Sequence, residues 1–162
     1  MENIVNAINE KFTGAIVSAE MLVDFPVITI QKEKIVDVIQ HLYNHPETKF
    51  QFLTTLCAIH FPEQNQMCVM YQLHNMVSNQ QVRLKIYLAD VNPATPTISH
   101  IFSAANWLER ETFDFFGVNF IGHPNLKRIL NVEDMMIFPL RKEYPLEDQT
   151  REDKDNTMFG RV

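Results

Sequence analysis

Residues 51–89, QFLTTLCAIHFPEQNQMCVMYQLHNMVSNQQVRLKIYLA, contain three apolar runs separated by turns at Pro62–Gln66 and Ser78–Gln80. The first run, Gln51–Ile59, is apolar on both faces, which predicts a central strand that is covered on both sides. In the second run, Met67, Val69, Tyr71 and Leu73 share one face of a strand. In the third, apolar residues alternate cleanly with Arg83, Lys85 and Tyr87, so one face is solvated or paired; the apolar residues are Val82, Leu84, Ile86 and Leu88. The stretch therefore predicts an antiparallel meander.

Shorter elements flank this meander. Apolar residues at helical spacing predict helices over residues 2–12 and 32–44, and Asn44-His45-Pro46 ends the second helix. Two short apolar stretches, near Ala15–Ser18 and at Pro26–Ile30, are typical of strands. After the meander, residues 92–97 form a stiff proline-containing connector, and residues 98–102 begin a helical stretch.

A further helix is predicted before Gly117. Asn106 is placed to cap it with Glu109 three residues on, Arg110 and Asp114 are spaced to pair, and Gly117 is placed to end it. The fold class predicted is α+β: a single domain with a mainly antiparallel meander sheet, helices packed on it and an extended C-terminal tail. We expect an α+β globular part over residues 1–117 and an extended C-terminal interaction segment of the same domain over 118–162.

Composition excludes several classes of function. The 162-residue chain has a net charge of −6 and a sequence pI of about 5.5, which disfavours nucleic-acid binding. No apolar run approaches the roughly 18–20 residues of a membrane span, and the start carries no signal-peptide pattern. We expect a cytoplasmic protein that meets a membrane only through partners. Cys57 and Cys68 lack the spacing of a zinc or iron–sulfur site and are expected to be buried thiols in adjacent strands.

The run from Trp107 to Pro145, WLERETFDFFGVNFIGHPNLKRILNVEDMMIFPLRKEYP, has few periodic apolar positions but many large side chains. It favours a surface that another protein binds. Half of the fourteen Lys and Arg residues lie between Lys127 and Arg161, and arginine is common at interface hot spots. Acidic residues are interleaved with them, so a solvated, charge-balanced tail explains the same composition.

Two interpretations fit the acidic cluster of this run. Glu109, Glu111 and Asp114 beside aromatic residues can form an acid–base site, or they can form a structural network with Arg128 or Arg141. We favour the network, because no nucleophile, phosphate-binding loop or metal set lies near. For His123 we likewise favour a hydrogen-bonded corner histidine over a metal ligand or a general base.

These residues resemble the signature of the C subunit, of the 30-kilodalton type, of the proton-pumping NADH:quinone oxidoreductase (respiratory complex I). The match comprises Glu109-Arg110-Glu111, Asp114, Phe116-Gly117, Phe120, Gly122-His123-Pro124, Leu126, Arg128-Ile129-Leu130, Asp134 and Pro139-Leu140-Arg141-Lys142-Glu143-Tyr144-Pro145. A weaker similarity extends back to about Phe50. The sequence departs from the family at Met135–Phe138, where many members have Trp-x-Gly-His, and at His60, where many are acidic.

The resemblance implies a non-catalytic scaffold subunit of the peripheral arm, on the cytoplasmic face of the cell inner membrane and without a transmembrane segment. It implies no cofactor in this chain; NADH, FMN, iron–sulfur clusters and quinone are expected in partner subunits, foremost the 49-kilodalton-type subunit. Some relatives are fused to that subunit, and we expect this chain to be unfused. An equivalent subunit of a related membrane-bound hydrogenase or ferredoxin-type quinone reductase is the alternative.

The resemblance also assigns roles to individual residues. Arg128, Arg141 and Lys142 are expected as interface anchors, braced by Glu109, Arg110, Glu111 and Asp114. The subunit-interface and signature positions expected from the family are Glu109, Arg110, Glu111, Asp114, Gly117, Gly122, His123, Pro124, Arg128, Asp134, Pro139, Leu140, Arg141, Lys142, Tyr144 and Pro145. A hypothesis of a different class is an autonomous enzyme that uses Glu111, Asp114 and His123, which requires these three side chains to converge in a pocket.

Overall fold

The computed structural model describes residues 1–144, which form a five-stranded sheet, a two-stranded sheet and three α-helices. Short 3₁₀ turns lie at Lys32–Lys34 and Pro62–Gln64. The elements in chain order are α1 (Glu2–Lys11), β1 (Ile16–Met21), β2 (Pro26–Ile30), α2 (Ile35–Asn44), β3 (Phe52–Phe61), β4 (Gln66–Asn75), β5 (Gln80–Ala89), β6 (Ala94–Pro96), α3 (Ala105–Phe116) and β7 (Asn119–Ile121).

The main sheet has the strand order β1-β2-β5-β4-β3. Strands β3, β4 and β5 form the predicted antiparallel meander, whereas β2 joins β5 in parallel. The register places Leu56, Tyr71 and Leu84 side by side on one face of the sheet. All three are buried, so this face is the core face. The predicted α+β class, with one meander-based sheet and helices packed on it, is confirmed.

Strand β3 does not occupy the predicted place. It was expected to be central and covered on both sides, but it lies at the sheet edge and its residues alternate between buried and exposed. Phe52 and Ile59, on the side away from the core, are 48% and 37% exposed. The strand with both faces largely covered is β4, where Cys68 and Gln72 are buried as well as the core-facing residues. Apolar content does not reveal a strand's neighbours, which is why the sequence misplaced β3.

Helices α1 and α2 contribute their apolar stripes to the core. Ile4 and Ile8 of α1 join Ile35 and Leu42 of α2 in one buried cluster with the core-facing strand residues. A stripe of this kind is what amphipathic helices bury against a sheet. The opposite side of the sheet, called the outer sheet face below, carries the alternate strand residues; its members on β5 are Gln81, Arg83, Lys85 and Tyr87.

The region around α3 corrects two predictions and confirms a third. Residues 98–104 form turns rather than a helix, and α3 begins at Ala105 with no side-chain cap. Asn106 therefore lies inside the helix and does not cap it. The predicted stop is confirmed, because Gly117 ends α3 with φ of 75°, a left-handed conformation that glycine adopts without a Cβ penalty.

The two-stranded sheet was not predicted from the sequence. Strand β6 lies in the expected proline-containing connector and pairs in parallel with β7, which follows α3 directly. Val118 and Phe120 are buried in the core, so the core continues past the predicted boundary at residue 117. Residues 122–144 contain turns and irregular chain without a helix or strand. Among residues 1–144, no helix has the length and apolar character that crossing a bilayer requires.

Candidate interaction surface

Asp114 is the centre of the hydrogen bonds that hold residues 118–144, called the C-terminal segment below. Its Oδ2 accepts backbone N–H groups of Ile129, Leu130 and Asn131 at 3.0, 2.8 and 2.9 Å. Burial alone would raise the pKa of Asp114, but these hydrogen bonds and one from Arg128 outweigh burial and hold the pKa well below its usual range. The carboxylate is therefore a charged, fully occupied structural group.

The guanidinium of Arg128 links residues 135–137 to Asp114 of α3. Its Nη1 donates to Asp114 Oδ1 at 2.8 Å and to the Asp114 carbonyl at 2.7 Å. Its Nη2 donates to the carbonyls of Met135 and Ile137 at 2.6 and 2.9 Å. Arg128 was expected to be an interface anchor, but it is only 9% exposed, and both Nη atoms of its guanidinium donate to residues of the same chain. It acts as an internal clamp because a buried guanidinium must have its donors satisfied.

The predicted pairing of Arg110 with Asp114 does not occur. Arg110 Nε and Nη2 donate instead to the carbonyl oxygens of Lys127 and Arg128, at 3.1 and 2.9 Å. The guanidinium also lies over the ring of Trp107, 5.3 Å from its centroid. Asp114 is buried and already bound by Arg128, so the helix spacing of four does not determine the partner. The structural network that we favoured over an acid–base site is present, with a different pairing.

Phe138 packs against the end of α3 and holds the end of the C-terminal segment there. A Cβ built on Gly117 would lie 2.6 Å from the Phe138 ring, so this ring packs directly on the glycine backbone. The guanidinium groups of Arg128 and Arg141 lie 5.1 and 5.2 Å from the ring centroid, and Arg141 Nε donates to the Phe116 carbonyl at 2.7 Å. The Met135–Phe138 departure thus supplies an apolar anchor, a role that the sequence did not reveal.

Glu109 is wholly buried beneath this network. Its Oε1 accepts the Ile98 N–H at 2.7 Å, and its Oε2 accepts the Thr97 hydroxyl at 2.5 Å. Burial raises the pKa of Glu109 to about 7, although both hydrogen bonds oppose the shift. Glu109 therefore ties the turn after β6 to α3. Thr97 was missed because nothing in the sequence signals a contact twelve residues away.

His123 is a hydrogen-bonded corner histidine, as favoured from the sequence. Its Nδ1 accepts the Asn125 N–H at 3.0 Å, so Nε2 carries the proton and donates to the Asn106 carbonyl at 3.1 Å. Glu111 is exposed on α3, and Asp114 is occupied by Arg128 and backbone amides. The three side chains of the enzyme hypothesis thus serve separate purposes. Within residues 1–144, no cluster of three His, Cys, Asp or Glu side chains could hold a metal ion.

His60 joins the segment to the far end of the main sheet. Its side chain is 2% exposed, and Nδ1 accepts the backbone N–H of Lys142 at 3.1 Å. Its Nε2 lies 3.8 Å from the Asp90 carboxylate. The sequence marked His60 as unusual for the family but gave no partner, because the contact spans 82 residues. The histidine therefore fixes where the chain passes the sheet edge.

The other signature positions lie along the surface of the segment. Gly122, Pro124, Asp134 and Lys142 are exposed, and Pro139 and Tyr144 are half-buried. The Leu140 N–H donates to the Phe115 carbonyl at 3.2 Å, and the Leu140 side chain is 44% exposed. Pro145 and the remainder of the predicted tail lie outside the described residues.

The segment also presents large apolar side chains to solvent. Met136 is 93% exposed, and the others are Ile121, Leu130, Val132, Ile137 and Leu140. Trp107 on α3 adds a further apolar surface at 58% exposure. Single exposed apolar residues are common, but a run of them on a rigidly braced segment is typical of a protein-binding surface.

Comparisons with known proteins converge on one family. The model described as "Respiratory-chain NADH dehydrogenase, 30 Kd subunit" matches residues 28–150. The second of the C subunits of NADH-quinone oxidoreductase in Rhizobium etli is 35% identical over 140 residues, which is 86% of this chain and 74% of the relative. The C subunit of the Roseiflexus sp. enzyme is 40% identical over 130 residues, 80% of this chain and 74% of that one. The C subunit of the Geobacter sulfurreducens enzyme is 33% identical over 147 residues, 90% of each chain.

Solved structures share the fold. A chain of the membrane-bound sulfane sulfur reductase, described as an archaeal respiratory membrane complex, superposes with a TM-score of 0.78 at 24% identity, covering 95% of this chain and 96% of that one. The trypsin-resistant fragment (1–134) of Nqo5 superposes with a TM-score of 0.64 at 22% identity, covering 77% and 98%. At these identities the likeness concerns the fold alone.

Proposed function

Because the chain belongs to the family of 30-kilodalton-type subunits of the respiratory-chain NADH dehydrogenase, we propose that it is a non-catalytic scaffold subunit of a membrane-bound, proton-translocating NADH:quinone oxidoreductase. Its place is the peripheral arm on the cytoplasmic face of the membrane, beside the 49-kilodalton-type subunit. NADH, FMN, iron–sulfur clusters and quinone are held by partner subunits. The isolated chain has no activity of its own.

One observation carries this proposal: buried hydrogen bonds fix the C-terminal segment to α3, and the segment exposes apolar side chains to solvent. Asp114 and Arg128 are buried and use their polar groups within the chain. Met136 lies between the two residues whose carbonyls Arg128 binds, and it is 93% exposed. A surface that is already ordered loses little conformational entropy when a partner covers it. The scaffold role is to keep the redox centres of neighbouring subunits at fixed separations.

The test is affinity purification of the tagged chain from mildly solubilised host membranes, followed by mass spectrometry. Met136→Asp places a charge where the proposed partner packs, and we expect recovery of the other subunits to fall at least tenfold. Val77→Asp is the matched control, because Val77 is 97% exposed on the β4–β5 turn. We expect both variants to keep the wild-type stability.

The proteins recovered distinguish the proposal from its alternatives. Joint recovery of the 49-kilodalton-type, cluster-bearing and NADH-oxidising subunits supports it. Hydrogenase or ferredoxin-linked subunits in their place would assign the chain to the related complexes. A partner-free chain would contradict the scaffold role, and so would an intact assembly that lacks one electron-transfer step when the chain is altered.

A further inference from the structure

Two cations lie at the centre of the outer sheet face. Strand β5 is the middle strand of the main sheet, and Arg83 and Lys85 both face outward from it and are half-buried. Arg83 Nε donates to Gln72 Oε1 at 2.9 Å, and its guanidinium lies 4.6 Å from the centroid of the Phe25 ring. Lys85 has no carboxylate within 4.0 Å among residues 1–144. A half-buried ammonium is partly desolvated, and a counter-charge would offset that cost.

The acids near this face lie at its margins. Glu20 is on β1, two strands from β5, and the register aligns it with Val27 and Arg83. Glu111 of α3 is close enough to Cys57, on the opposite edge strand, to act on its pKa. Neither carboxylate forms an ion pair with Arg83 or Lys85 in the part of the chain described. The whole chain has a net charge of −6, so a positive centre is a local feature of this face.

Lys85 has apolar or aromatic neighbours toward β4 and along β5, and the polar Thr29 on its β2 side. Met70 is directly opposite on β4, and the rings of Tyr87 and Phe61 lie 6.5 Å apart. Tyr87 and Ile59 are 39% and 37% exposed. Burial raises the pKa of the Cys68 thiol to about 11, so this buried thiol adds no charge to the face. Aromatic side chains, Met and Arg are enriched in protein–protein interfaces, and this face carries all three in Tyr87, Met70 and Arg83.

From this arrangement we infer that the outer sheet face docks an acidic segment of a partner subunit, with a carboxylate of that segment paired to Lys85. Apolar side chains that flank the carboxylate pack on Ile59, Met70 and Tyr87. Two cations are too few for a nucleic acid or an anionic membrane, but one carboxylate offsets the charge of Lys85. The inference rests on the proposed function, which supplies the partner, and it concerns a surface separate from the C-terminal segment.

Zero-length crosslinking with a carbodiimide tests the pairing in the complex purified from host membranes. The reagent activates a carboxylate, the Lys85 amine displaces the activating group to form an amide, and the carbodiimide leaves as its urea. We expect an amide between Lys85 and an Asp or Glu of another subunit. Lys85→Gln should remove that link, and Lys85→Glu should reduce recovery of partner subunits at least tenfold. Lys34→Glu is the control of equal charge change, because Lys34 is exposed on the 3₁₀ turn before α2.

Each outcome decides the inference. A crosslink from Lys85 to a partner carboxylate, with loss of recovery for Lys85→Glu but not Lys34→Glu, supports it. Equal acetylation rates of Lys85 in the complex and in the free chain would overturn it while leaving the proposed function intact. A link only to Glu20 of the same chain, or to a second copy of this chain, would also overturn it. A chain that purifies without any partner would overturn both proposals, and this result appears before crosslinking.

Discussion

At the scale of single residues, Asp114 holds the C-terminal segment by charge and hydrogen bonds together. Replacing Asp114 by Asn leaves Arg128 buried with no counter-charge, a change that typically costs about 3–5 kcal/mol. We therefore expect Asp114→Asn to lower the free energy of unfolding of the isolated chain by roughly that amount in urea titrations. Glu111→Gln, on the same helix but exposed, should change it by less than about 0.5 kcal/mol.

Acid titration gives an independent check on Asp114. Its folded-state pKa lies below the ordinary value. The stability that it contributes is therefore fully present above the unfolded-state pKa of about 3.9 and is lost as the pH falls toward the folded pKa. The difference in unfolding free energy between wild type and Asp114→Asn should shrink over that acid range. A difference that stays constant with pH would show that the ionised carboxylate is not the stabilising form.

Glu109 has the opposite pH dependence. Burial raises its pKa from 4.5 to about 7, so between these values the folded chain holds a proton that the unfolded chain has released. The contribution of Glu109 to the free energy of unfolding should therefore fall as the pH rises from 4.5 to 7, by about 3 kcal/mol in all, and then stop falling. We expect the difference between wild type and Glu109→Gln in urea titrations to change over this range. Identical pH profiles for the two proteins would contradict the raised pKa.

The sequence predicted that these residues form hydrogen bonds within the chain, but it did not predict their partners. It predicted a network between the acidic helix and Arg128, and a hydrogen-bonded His123, because buried charges and imidazoles need partners. It did not predict which acid receives Arg128, nor that Thr97 and Ile98 bind Glu109. Those pairings depend on the path of residues 118–131 around α3, and helix periodicity carries no information on that path.

At the scale of elements, Gly117 joins the end of α3 to the Phe138 anchor. Gly117→Ala adds backbone strain of about 1 kcal/mol at φ of 75° and places a Cβ 2.6 Å from the Phe138 ring. Gly14→Ala adds similar strain at φ of 81° with nothing within 4 Å of the new Cβ. In urea titrations we expect Gly117→Ala to lower the free energy of unfolding by clearly more than Gly14→Ala does.

A double-mutant cycle separates the two causes. In a Phe138→Ala background the ring is gone, so the further loss from Gly117→Ala should fall to that of Gly14→Ala. Equal losses from Gly117→Ala in both backgrounds would show that Phe138 does not pack on this glycine.

Elements with clear periodicity were predicted and those without it were not. The helices over residues 2–12 and 32–44 and the meander agree with α1, α2 and β3–β5, because their apolar spacing matches one structure. The edge position of β3, the parallel pairing of β2 with β5 and the short β6–β7 sheet escaped prediction. Each of these depends on which strands meet in space, and strands of three residues are too short to show a period.

At the scale of the whole molecule, the C-terminal segment begins inside the core rather than after it. Val118 and Phe120 are 0% and 1% exposed, and β7 pairs with β6 from before α3. This arrangement makes the segment part of the folding unit, so that its outer surface is presented on a fixed base. A partner that covers Met136 then also covers a surface held by Asp114, Arg128 and Phe138.

A chain shortened to residues 1–117 should therefore fail to fold as a cooperative unit. Losing two buried apolar side chains costs about 2–5 kcal/mol each, and Asp114 loses its clamp at the same time. Against a net stability of about 5–15 kcal/mol for a domain, these losses leave little or none. We expect circular dichroism of the fragment to show no sharp urea transition, whereas the full chain shows one. Phe120→Ala in the full chain is the graded control: it should keep a sharp transition at lower urea. A fragment 1–117 that unfolds with wild-type cooperativity would show that the globular part ends at Gly117 and that the segment is only an appendage to it.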